Sequence, residues 1–192
     1  METLKVTFFP IGKLMANCCV AYSDDGTAVV VDPGGDPTPV TGFIRDNGLQ
    51  CAAILLTHGH DDHTEGVLSL RESTGAPVYI GDGDGYRLKE SADFLLHGGE
   101  MLRFSDIAIE VIPAPGHTEG SLCFLSDGIL FAGDTLFRGS VGRTDLPGGS
   151  SEKLGQTLEA LKERFGGSDI TVVPGHGEIT DFRYEMEHNY FL

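Results

Sequence analysis

Five consecutive apolar residues, Ala52-Ala53-Ile54-Leu55-Leu56, run directly into Thr57-His58-Gly59-His60-Asp61-Asp62-His63. A strand solvated on one face alternates apolar and polar side chains, whereas a strand apolar at every position has both faces covered. The chain is therefore expected to build a sheet with a layer on each side. It must also carry three histidines in the loop that leaves a buried strand. A loop in that position is where a rigid scaffold presents functional groups.

The rest of the chain repeats this texture. Residues 5–9, 18–22 and 28–31 are rich in β-branched and aromatic side chains and read as strands, with Ser23-Asp24-Asp25-Gly26 as a turn. A helix is expected over residues 38–47, stopped by Gly48, and an amphipathic one over 64–73, stopped by Gly75. Residues 77–80 form another strand, and 81–98 are weakly patterned, with room for one short helix. Further on, residues 107–112, 122–125, 129–131 and 170–173 read as strands, with Ser126-Asp127-Gly128 as a turn. Leu154, Leu158 and Leu161 give residues 150–165 helical spacing, and 181–190 is a candidate closing helix. Strands in clusters, each followed by helices, imply two packed sheets with helices outside. The expected fold is α/β (α+β), an αββα four-layer sandwich, as one domain over residues 1–192.

Composition removes some function classes. With 13 basic and 29 acidic residues the net charge is −16, which repels nucleic-acid phosphates and anionic membrane surfaces. No apolar run approaches the roughly 20 residues that span a bilayer. Met1-Glu2-Thr3-Leu4-Lys5 lacks a basic stretch leading into an apolar segment, so no signal peptide is read and a cytoplasmic protein is expected. Cys18, Cys19, Cys51 and Cys123 form no C-x-x-C pair and read as buried small hydrophobes.

The histidines point to metal. His58 and His60 are two apart across a glycine, so both rings can reach one ion, and Asp62 and His63 can reach a second one nearby. His117, Asp134 and His176 each follow an apolar strand and each directly follow a glycine, which lets the backbone turn sharply. Imidazole and carboxylate together suit zinc, iron or manganese. His97 and His188 read as ordinary loop or surface residues, and Asp61 and Glu65 as solvated or capping groups at a helix start.

The set His58-x-His60-x-Asp62-His63, then His117, Asp134 and His176, resembles the metallo-β-lactamase superfamily. The resemblance implies the αββα sandwich and a division of the ligands. His58, His60 and His117 would hold a first metal, Asp62, His63 and His176 a second, and Asp134 would bridge them. Gly133-Asp134-Thr135-Leu136-Phe137 and Gly139-Ser140-Val141-Gly142-Arg143-Thr144-Asp145 further resemble the glyoxalase II group, which hydrolyses hydroxyacylglutathione thioesters. Longer members of that group carry a helical domain that supplies basic residues for glutathione. Only a short tail follows His176, so the likeness is to the shorter bacterial members.

The cofactors implied are two divalent ions, zinc first, with iron or manganese as alternatives. The implied reaction is attack on a small thioester, such as a glutathione thioester, by a hydroxide that Asp62 and Asp134 hold. Arg143 is a candidate substrate contact, because an anionic substrate needs positive charge in so acidic a chain. The same stretch resembles the persulfide dioxygenases, mononuclear iron oxidoreductases. A lactone or other ester hydrolase is the remaining alternative. Neither nucleic acid nor membrane is expected as a partner, and oligomeric state is open, a homodimer included.

Overall fold

The computed structural model describes residues 4–192; residues 1–3, part of the stretch read for a leader, lie outside them. The chain begins β1 (Lys5–Ile11), β2 (Ala16–Tyr22), β3 (Thr27–Val31), α1 (Thr38–Asp46) and β4 (Gln50–Leu55). It continues α2 (Asp61–Thr64), α3 (Val67–Thr74), β5 (Val78–Gly81), a 3-10 turn at Asp82–Arg87, and β6 (Phe94–Leu96). The second half runs β7 (Met101–Phe104), β8 (Ile107–Pro113), β9 (Leu122–Ser126), β10 (Ile129–Gly133), β11 (Leu136–Phe137) and β12 (Ser140–Val141). It closes with α4 (Ser151–Phe165), β13 (Thr171–Pro174), β14 (Thr180–Asp181) and α5 (Phe182–His188). One sheet has the order β1-β2-β3-β4-β5-β6, the other β14-β13-β10-β9-β8-β7, and β11-β12 is a separate hairpin.

Side-chain alternation assigns each residue to a layer. On β2, Cys18 and Val20 face the helices while Cys19 and Ala21 face the other sheet. Along β4 and the residue after it, Ile54 and Leu56 join the helix layer, and Ala53 and Leu55 join the layer between sheets. There they meet Ile109, Val111, Phe124 and Phe131 of the second sheet. A third layer packs Leu154, Leu158, Leu161 and Phe165 of α4 and Phe182 of α5 on Cys123, Leu130 and Val172. Three apolar layers between four structural layers make the αββα sandwich. Each fully buried Leu, Ile or Phe in them contributes about 1.5–3 kcal/mol relative to exposure. This burial holds the fold without disulfides, since all four cysteines are free and buried.

The sheet topology also gathers the candidate ligands on one rim. β3 and β4 are parallel neighbours, with Val31 beside Leu55, so their exits lie side by side. β10 and β13 are parallel too, with Gly133 beside Pro174. β8 and β10 are both antiparallel to β9, so they run in the same direction and end on the same rim. Leu122 N–H donating to Thr57 O at 2.7 Å and Asn17 N–H donating to Gly175 O at 2.7 Å tie the two sheets together there.

Some elements depart from expectation. The helix over 64–73 is two pieces, α2 and α3, because Gly66 turns its N–H out to Pro33 O at 2.8 Å. β1 runs on to Ile11 through Pro10, which an edge strand tolerates. β6, β7, β14 and the β11-β12 hairpin were not expected. The closing helix is α5, capped by Asp181, whose carboxylate accepts Tyr184 N–H at 2.7 Å. Among the described residues no helix is long and apolar enough to cross a membrane.

Candidate metal centre

Each of four imidazoles is aimed by a hydrogen bond at its Nδ1. His117 Nδ1–H donates to Arg143 O at 2.8 Å, His176 Nδ1–H to Leu14 O at 3.1 Å, and His63 Nδ1–H to Asp32 Oδ2 at 3.0 Å. Thr57 Oγ1 donates to Asp32 Oδ2 at 2.6 Å and so accepts from His58 Nδ1, 3.2 Å away. Carbonyl and carboxylate oxygens only accept, so Nδ1 carries a proton in each ring and Nε2 is the atom that faces inward, free to bind a cation once any proton on it is displaced. The other nitrogens converge: His117 Nε2 lies 2.9 Å from His60 Nδ1, and His63 Nε2 lies 3.1 Å from His176 Nε2.

All seven residues read from the sequence meet at this point. Three groups have ligand atoms within 4.8 Å of one another: His58, His60 and His117; Asp62, His63 and His176; and, between them, His58, His63 and Asp134. Asp134 faces both sides. Its Oδ2 is 3.5 Å from His117 Nε2, while its Oδ1 is 3.4 Å from His63 Nε2 and 3.8 Å from His176 Nε2. Asp62 Oδ2 is 3.1 Å from His176 Nε2. His58 Nε2 and Asp134 Oδ1 are buried acceptors without a hydrogen-bond partner. Such an orphan costs about 1–3 kcal/mol, and a cation between the rings would satisfy both, so the donor set fits a pair of metal ions. The turns need their glycines: Gly116 and Gly133, which precede His117 and Asp134, have φ of 146° and 50°.

The two halves differ in charge. Burial, and then the neighbouring rings, push His58 well below the usual histidine range. Burial and His117 also lower His60. Burial alone would lower His63, but Asp32 and Asp134 outweigh it and hold His63 up at about 10. The hydrogen bond to Asp62 raises His176, and the same bond is the main cause that lowers Asp62 to about 2. Burial pulls Asp134 up, yet His63, His117 and His176 leave it below the usual carboxylate value.

The residues set aside do lie elsewhere. His97 is exposed, His188 Nδ1 bonds Tyr184 O at 2.9 Å, and Asp61 and Glu65 are exposed at the ends of α2. Burial pushes the Cys51 and Cys123 thiols up to about 11 and about 12, so they are not thiolate nucleophiles. The Arg143 side chain points outward, in a two-pronged pair with Asp145 at 2.7 and 2.8 Å; its main-chain carbonyl is what reaches the site.

Two buried carboxylates escaped the sequence reading. Asp32 orients both His63 and Thr57, and it holds an unusual φ of 50° with its N–H on Leu55 O at 3.0 Å. It follows an apolar strand as Asp134 does, a signal that could have found it. Asp84 accepts Gly59 N–H at 2.8 Å and Thr118 Oγ1–H at 2.6 Å. It lies in the weakly patterned stretch 81–98, where nothing marks it.

A sequence profile of the Metallo-beta-lactamase superfamily matches residues 11–176. The chain is 33% identical to the probable metallo-hydrolase YqgX of Bacillus subtilis, over 95% of each protein. It is 29% identical to the hydroxyacylglutathione hydrolase GloC of Haemophilus influenzae, over 98% of each. Among solved structures, the BLEG-1 B3 metallo-beta-lactamase matches with a TM-score of 0.93 at 32% identity, over 97% of this chain and 99% of that one.

Proposed function

The chain belongs to the metallo-beta-lactamase superfamily, and from that premise we propose that it hydrolyses a small thioester of the hydroxyacylglutathione type with a pair of zinc ions. The observation that carries the two-metal reading is Asp134, whose two oxygens face two separate groups of imidazoles. His58, His60 and His117 hold the first position; Asp62, His63 and His176 hold the second; Asp134 joins both. Bound divalent ions supply a water acidic enough to ionise near neutral pH and a Lewis acid for the carbonyl oxygen.

The chain's own residues orient that chemistry. Asp62 stays ionised down to about 2 and is half-buried, so it accepts a hydrogen bond from the attacking water rather than storing a proton. Asp134 holds the water from the buried side. No cysteine thiolate competes, since the four cysteines lie buried in the apolar layers. For the thioester, the support is the Haemophilus relative, named for that activity and matched over 98% of its length.

The test is metal analysis of the purified protein paired with lactoylglutathione, glutathione persulfide, a lactone and a β-lactam. Two ions per chain and preferred turnover of lactoylglutathione are expected. One iron per chain with oxygen uptake on the persulfide would select an oxidoreductase instead. Preferred cleavage of the lactone or the β-lactam would reassign the substrate.

Arg143 stays proposed as a contact for an anionic group, swinging away from Asp145 to make it. Both partners are exposed, so the pair separates at little cost. Arg143→Glu is expected to raise KM for an anionic thioester severalfold with kcat held. An unchanged KM would leave the residue only its main-chain role on His117.

A further inference from the structure

One carboxylate outside the ligand set touches the loops of all three first-position histidines. Asp84 is completely buried in the 3-10 turn. Its Oδ2 accepts from Gly59, which separates His58 from His60, and from Thr118, which follows His117. Its Oδ1 accepts Arg87 Nε–H at 3.1 Å and, more loosely, Gly120 N–H at 3.4 Å. Arg87 extends the connection: its Nη2–H donates to Pro147 O at 2.7 Å. That bond fastens the segment whose Arg143 carbonyl sets His117 Nδ1.

The backbones close on this pair because they are glycine there. A Cβ on Gly59 would lie 2.7 Å from Arg87 Cδ, and one on Gly120 would lie 2.7 Å from Asp84 Cβ. The second-position histidines depend on different partners. His63 rests on Asp32. His176 rests on Leu14 O, and Asn17 Nδ2–H groups hold the carbonyls on either side of it, Pro174 O at 2.9 Å and Gly177 O at 3.0 Å.

We propose that Asp84 and Arg87 are a positioning pair that sets the affinity of the first metal position alone, leaving the second braced independently. The inference rests on the two-metal reading above. Partners that orient metal ligands typically carry about 10–100-fold in metal affinity. Asn at position 84 keeps the side-chain shape but sets an amide N–H₂ against donors.

The test isolates each position. His176→Ala retains the first, His60→Ala retains the second, and zinc affinity is read by competition with a chelating dye. Asp84→Asn is expected to weaken zinc about 10–100-fold in the His176→Ala chain. In the His60→Ala chain it should leave affinity within about twofold, because Asp84 touches neither histidine of that position. Arg87→Met should show the same selectivity with a smaller loss, and it carries the test if Asp84→Asn does not fold. The cobalt(II) absorption spectrum of the first position should shift in both variants, which a purely structural role would not produce. Equal weakening at both positions, or none at either, overturns the pairing. If neither single-position chain binds zinc, the two-metal reading falls first and the inference with it.

Discussion

Asp134→Ala is expected to lower metal content from two ions per chain toward one or none and to cut turnover by more than about 100-fold. The lower bound follows from the cost of losing only an orienting partner, about 10–100-fold, whereas Asp134 would be a direct ligand to both ions. Its Oδ1 faces His63 and His176, its Oδ2 faces His117, and among the described residues no other carboxylate stands between the two groups. Removing it leaves two sets of imidazoles with one anionic ligand, Asp62, on one side only. Asp134→Asn separates charge from shape: it fills the same space but presents an oxygen to one position and an amide to the other. It should therefore retain one ion better than the other. Metal content and melting temperature measured together check both variants. A folded Asp134→Ala protein with two ions and normal turnover would sink the bridging role.

The elements that could be read from sequence are those whose burial has a simple period. β4 was readable because both its faces are covered, with Ala53 and Leu55 on one side and Ile54 and Leu56 continuing on the other. β11, β12 and β14 have two residues each, too few to express any period. β6 and β7 lie at sheet edges with Phe94, Leu95 and Met101 exposed, so their pattern does not mark a buried face. The break between α2 and α3 depends on Gly66 meeting Pro33, a contact between segments that local periodicity cannot register.

The site divides along the same line. The ligand candidates were legible because each is a histidine or aspartate in a glycine-bearing loop just after an apolar strand. The residues that aim them were not, because their meaning lies in distant contacts. Asp32 is 31 positions from the His63 it orients, and Asp84 is 25 from Gly59. Arg143 shows the reverse: its charge drew notice, but the group that touches His117 is its carbonyl, which any residue there would supply.

The second large effect is a difference in pH dependence between the two metal positions. Without metal, His63 is held up at about 10, Asp32 and Asp134 overcoming the burial that would lower it. It carries a proton on Nε2 throughout the neutral range, and a cation must displace that proton to bind. Lowering the pH therefore weakens the second position by about tenfold per unit for that single proton. Asp62 adds nothing to the slope, since it stays ionised down to about 2, whereas His176, raised by its bond to Asp62, steepens it where that ring titrates. At the first position burial keeps His58 and His60 below their usual values, so above about pH 6.5 they hold no proton to displace. Zinc affinity should therefore fall more steeply between about pH 8 and about pH 6.5 in the His60→Ala chain than in the His176→Ala chain.

The metal-free fold should respond in the opposite sense. A histidine raised from about 6.5 to about 10 contributes stability that is fully present below the lower value and is lost as pH rises through the upper one. The melting temperature of chelator-treated protein should therefore decline between those two values while the second position gains affinity for zinc. Parallel pH slopes at the two positions, or a chelated protein that grows more stable across that window, would show that Asp32 and Asp134 do not hold a proton on His63.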